Sequence, residues 1–138
     1  MVECRMPSSS PATTDPDVAL VLRAYEAFER GDIEAAVADL HPEVEWIEPD
    51  DFPMGGRRVG RAAVAEYLRA SRAAWAELRS EPIASRRGTD IVVVHHVVGR
   101  LADGTPNEAT VADVFTAANG QVVRMQAYAD PADVPGAA

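Results

Sequence analysis

The chain has 138 residues, 22 acidic against 13 basic, and a formal net charge of -9 at neutral pH, which fits one domain and argues against nucleic acid or an anionic membrane as partner, since both reward clustered positive charge. Every basic residue is arginine, which excludes Schiff-base chemistry and a phosphate-loop lysine, and the single cysteine, Cys4, excludes an internal disulfide. No apolar stretch reaches membrane-span length and the N-terminal segment lacks an apolar secretory region, so a cytoplasmic location is expected.

Residues 1–14, rich in Ser, Pro and Thr without apolar period, read as a disordered leader to a domain over 15–131. Asp15-Pro16 is a helix-start signature, and Val18, Val21, Leu22, Tyr25 and Phe28 recur at helical spacing until Gly31 stops the helix. Asp32 caps a shorter helix carrying Ile33, Val37 and Leu40, and His41-Pro42 turns the chain into a strand that ends at Glu48. A polar loop with Pro and Gly, 49–60, leads to a third helix expected from about Arg61 to Leu78, with Val64, Tyr67, Leu68, Ser71, Trp75 and Leu78 on one face. The remainder reads as a four-strand meander broken at Gly88, Gly104 and Asn119-Gly120, and 132–138 as a flexible tail. Residues 91–101 are apolar at both parities, so both faces of that strand should be buried. The helices can cover one face, and a partner subunit in a homodimer is expected to cover the other.

Two acidic residues interrupt this pattern. In strand alternation Glu48 shares a face with Val44 and Trp46, and Asp113 shares one with Val111 and Phe115. A carboxylate in an apolar wall has its pKa raised or finds a partner, and a cavity holding such groups suits proton transfer. For Asp113 the structural alternative is a buried carboxylate bonded to a backbone amide or to Arg124. His95 and His96 must face opposite ways and cannot chelate one metal together. No metal-ligand spacing is present, and neither metal nor cofactor is expected.

The order of elements, with the phrases AYEAFERGDIEAAVADLHPEVEW (24–46), GGRRVGRAAVAEYL (55–68), LADGTP (101–106) and DVFTAANGQVVRMQAYAD (113–130), resembles the SnoaL-like branch of the nuclear transport factor 2-like superfamily. That branch includes polyketide cyclases, ketosteroid isomerase and limonene-epoxide hydrolase. The resemblance implies an α+β fold, a cone-shaped curved antiparallel sheet wrapped around three N-terminal helices, with a deep apolar pocket and usually a dimer. It places Glu48 where ketosteroid isomerase keeps its catalytic Asp, and Asp113 at that enzyme's second, protonated Asp. The isomerase's tyrosine falls on Ala24, one step from Tyr25, and the hydrolase's Asp-Arg-Asp set falls on His96, Val94 and Ala127. The same alignment turns His96 inward, able to pair with Asp113 or relay a proton. The expected catalytic set is therefore Glu48, Asp113 and His96. Tyr25, Phe28, Trp46, Tyr67, Trp75 and Met125 are the expected walls of a site for a small apolar molecule, polyketide- or terpenoid-like. An isomerase or cyclase follows, with a non-catalytic dimeric small-molecule-binding protein as the alternative.

Overall fold

The computed structural model describes residues 15–52 and 54–136, so the N-terminal leader and Cys4 lie outside the described residues. Helix α1, Pro16–Glu29, starts as its sequence dictates: the Asp15 carboxylate accepts from the backbone N–H of Asp17 and Val18, at 3.0 and 3.3 Å. It stops where Gly31 takes a left-handed φ of 83°, which a side chain would resist. Asp32 caps α2, Ile33–Val37, through Ala35 N–H at 3.1 Å.

Strand β1, Leu40–Glu48, follows, then β2, Gly56–Val59, helix α3, Arg61–Ala73, and the strands β3, Trp75–Arg87, β4, Asp90–Leu101, β5, Pro106–Ala118, and β6, Gln121–Tyr128. The six strands form one curved, open sheet in the order β2-β1-β6-β5-β4-β3. All neighbours are antiparallel except β1 and β6, which run parallel because the helical excursion α3 and the meander intervene between them. Ladder irregularities in β1, β3 and β5 supply local bends of the kind that curve a sheet. The helices pack on the concave face, where Val21, Val44, Val64, Ile91, Val93 and Met125 are fully buried. Each such side chain contributes about 1.5–3 kcal/mol relative to exposure.

Three expectations change. The third helix ends at Ala73 rather than Leu78, because the β-branched run of β4 recruits 75–87 as its hairpin partner and tertiary pairing overrides the helical spacing. Trp75 and Leu78 still share a face. A bulge between Trp75 and Glu77 inserts one residue, so side chains three apart both point inward, opposite Leu101 and Gly99. Gly99 is required there: a Cβ would stand 1.9 Å from the Glu77 carbonyl oxygen. The loop 49–60 contains β2, paired with β1. The expected tail instead carries a 3-10 turn at Pro131–Asp133, after which Val134 buries against Val92 and Ala112 on the convex face. Part of that face is thus covered by the chain itself, while Ile83 and Val94, opposite each other, remain 73% and 37% exposed.

Candidate active site

Strand parity builds the site. Along β1 the residues Val44, Trp46 and Glu48 are all buried, and Glu48, at the strand's end, is only 8% exposed. Its carboxylate accepts a 2.9 Å hydrogen bond from the Trp46 indole N–H. Burial pushes the Glu48 pKa up to about 7 and the charge of Asp113 adds to this, while Trp46, the Tyr67 hydroxyl and the Arg58 guanidinium pull it back.

Asp113 lies on β5 between Val93 of β4 and Ala127 of β6. The Tyr25 hydroxyl of α1 donates to its carboxylate. Burial raises Asp113 to about 6 against the opposing effect of that hydrogen bond. Burial, then the charge of Asp113, holds the Tyr25 phenol protonated far above its ordinary range. Both carboxyls thus hold their protons closer to neutrality than ordinary acids do, Glu48 in part because of the charge of Asp113. Among the described residues neither makes a salt bridge, and Arg124 bonds Glu45 and Gln126 instead of Asp113.

A cavity of about 230 Å³ opens between the helices and the concave face, lined by both carboxylates and by all the expected wall residues, Tyr25, Phe28, Trp46, Tyr67, Trp75 and Met125. Tyr25 and Trp46 each meet Phe115 edge-on, at 5.9 and 6.2 Å between ring centres. Among the described residues no cluster of His, Cys, Asp or Glu is placed to hold a metal ion.

The histidine expectation is corrected. His95, not His96, faces the cavity: it lies on the parity of Ile91 and Val93, with its ring 4.6 Å from that of Tyr25 and its Nε2 bonded to the Ser80 hydroxyl. Burial first, then the charge of His96, lowers its pKa to about 4, so the imidazole is neutral. His96 points outward between Glu81 and Glu108, at 3.0 and 2.7 Å, and both raise its pKa. It cannot reach Asp113. The signal was present in the sequence: a hairpin centred on Asp103 sets Val93 opposite Asp113 and His95 opposite Val111, so an inward Asp113 requires an inward His95. The Tyr25 contact with Asp113 carried no such signal, because it joins residues 88 apart.

The profile of the SnoaL-like domain matches residues 21–125. The chain belongs to the SnoaL-like domain family. Among solved structures this SnoaL-like chain is similar to TerC co-crystallised with polyporic acid, at 25% identity and a TM-score of 0.73 over 84% of this chain and 92% of that one. It is similar to a nuclear transport factor 2-like protein of unknown function from Burkholderia pseudomallei, at 28% identity and a TM-score of 0.75, with the same shares of the two chains, 84% and 92%. A provisionally assigned polyketide cyclase from Xanthomonas campestris pv. campestris is 28% identical, with a TM-score of 0.67 over 83% and 90%. No curated protein sequence matches the chain. No helix of the described residues is long and apolar enough to cross a membrane.

Proposed function

We propose that this SnoaL-like cavity is the active site of a cofactor-independent isomerase or cyclase acting on a small, mostly apolar carbonyl compound of polyketide or terpenoid type. The observation that carries the reading is a pair of unpaired carboxylates, Glu48 and Asp113, raised to about 7 and about 6 inside one aromatic-walled cavity. Glu48 takes a proton from the carbon next to the substrate carbonyl. Asp113, which accepts from the Tyr25 hydroxyl, donates to the oxygen on which charge develops in the form of the site whose shared proton sits on Asp113 while Glu48 is ionised. The proton then returns at another carbon, giving an isomer, or the enolate attacks a second carbonyl of the same molecule, closing a ring with a new C–C bond while the proton held by Glu48 passes to the oxygen of the carbonyl attacked. Neutral His95 packs edge-on against Tyr25 and keeps the phenol aimed at Asp113. The similarity to TerC, co-crystallised with polyporic acid, and to a provisional polyketide cyclase supports this substrate class. The exposed Ile83 and Val94 on the convex face support a homodimer through that face.

The test is turnover of Glu48→Gln on any accepted carbonyl substrate. A loss of roughly two to four orders of magnitude in kcat with the fold intact is expected for a positioned general base. Parent-level turnover would remove Glu48 from the chemistry, and binding without turnover by the parent itself would favour a non-catalytic binding protein.

A further inference from the structure

Glu48 needs a counterweight. A general base must be able to ionise, yet burial and Asp113 both favour its neutral form. The titratable and charged groups around Glu48 are Asp113 on β5, Tyr25 on α1, Tyr67 on α3, His95 on β4 and Asp39 along the main cavity, Asp50, Asp51, Tyr128 and Asp133 along a second cavity at the end of β1, and Arg58 on β2. Among these the Arg58 guanidinium is the one positive charge, since the rest are acids, phenols and the neutral imidazole of His95.

The local sequence explains where it sits. In the β1–β2 ladder Arg58 lies opposite Trp46 and Gly56 opposite Glu48, so Arg58 takes the concave side of the edge strand. Its neighbour Arg57 takes the convex side and pairs with Glu45 at 2.6 Å. The loop before β2 is tightly closed, since a Cβ at Gly55 would stand 1.9 Å from the Pro49 carbonyl oxygen, and this fixes the strand against the end of β1. The Arg58 guanidinium carbon rests 4.4 Å from the centre of the Tyr67 ring. Among the described residues its Nη1 is buried and has no hydrogen-bond partner. A half-buried arginine whose Nη1 is buried without a partner, and which among the described residues makes no salt bridge, is poorly explained as a structural ion pair. Its placement is explained by the Tyr67–Glu48 pair beside it.

We propose that Arg58 is a positioning residue of this site: seated on the Tyr67 ring, it holds the Tyr67 hydroxyl against Glu48 and supplies the positive charge that lets Glu48 ionise within the apolar wall. This rests on the reading of Glu48 as the base. It also assigns adjacent arginines different work, Arg57 to the ladder on the convex side and Arg58 to the chemistry.

The experiment is a carbon-13 NMR titration of the full chain labelled at the glutamate side-chain carboxyl, with the Glu48 signal identified by its loss in Glu48→Gln. In Arg58→Met, which keeps the apolar stem and removes the charge, the Glu48 midpoint should rise by roughly half a unit or more. Arg58→Lys, which keeps the charge, should stay closer to the parent. Arg58→Gln, checked for fold by circular dichroism, gives the same test if the Met variant does not fold. An unchanged midpoint in the folded neutral variants would overturn the role of Arg58. If Glu48 in the parent titrates in the ordinary carboxylate range, the base reading fails separately, and the shift between parent and variant still decides whether Arg58 acts on it.

Discussion

His95 and His96 are one residue apart and chemically identical, yet the concave face makes one neutral with a pKa lowered to about 4 and the convex face makes the other easier to protonate than usual. The cause is what each face offers. The concave side has Tyr25, Val93 and the cavity, where the largest effect is desolvation. The convex side has Glu81 and Glu108, solvent and two carboxylates. The same division holds for the acids: Glu48 and Asp113 inside are raised, while Glu45 and Glu81 outside, beside Arg57 and His96, are lowered. Strand parity therefore decides chemistry more than residue type does, and a one-residue slip would exchange the two sets.

The sharpest way to break this contrast is to remove one acid from the inside and one ionisable group from the outside. Asp113→Asn should lose roughly two to three orders of magnitude in kcat if it helps hold the developing oxyanion. His96→Gln should stay within about twofold of the parent, as expected for a side chain facing away from the cavity. Equal losses in both variants on a steady-state assay would erase the distinction between the faces.

A smaller effect tests how the inner wall is built. Gly99→Ala places a methyl against the Glu77 carbonyl at the bulge that turns Trp75 and Leu78 inward. A loss of about 1–3 kcal/mol is expected in denaturant unfolding, the usual range for overpacking. No loss would mean that the β3–β4 ladder does not need that close approach. On the convex face Ile83→Glu should weaken self-association by about tenfold or more in sedimentation, as removal of an apolar interface contact does. A parent chain that sediments as a monomer at micromolar concentration would remove the dimer itself.

Much of the fold was legible because local chemistry and global fold agree. Asp15-Pro16 begins the first helix, and Gly31-Asp32 and the turns at Gly88, Gly104 and Asn119-Gly120 each separate two elements where they stand. Alternation alone placed Glu48 and Asp113 inward. The failures share a physical cause in long-range pairing. The spacing of Trp75 and Leu78 is helical, and only the pairing with β4, with its bulge, converts it into a strand that still presents both inward. The four residues of β2 have no apolar alternation, and they form a strand because β1 offers them an edge. The inward histidine followed the resemblance rather than the hairpin register, and the register was the better guide.

The central claim is that burial of Glu48 in an apolar wall outweighs the help its charge receives from Trp46, Tyr67 and Arg58, and the most direct measurement is the stability difference between the parent and Glu48→Gln as a function of pH. Because the folded pKa is raised from 4.5 to about 7, the unfolded chain gives up this proton first as pH rises. The parent therefore keeps its full stability at this site below 4.5 and loses it progressively as pH rises through about 7. Glutamine has no such loss, so the two proteins should be close in stability at acid pH, and the variant should be more stable by something on the order of 3 kcal/mol above about pH 8. A variant less stable than the parent in that alkaline range would show that the Glu48 carboxylate is held in a stabilising pair, and would contradict its role as a base.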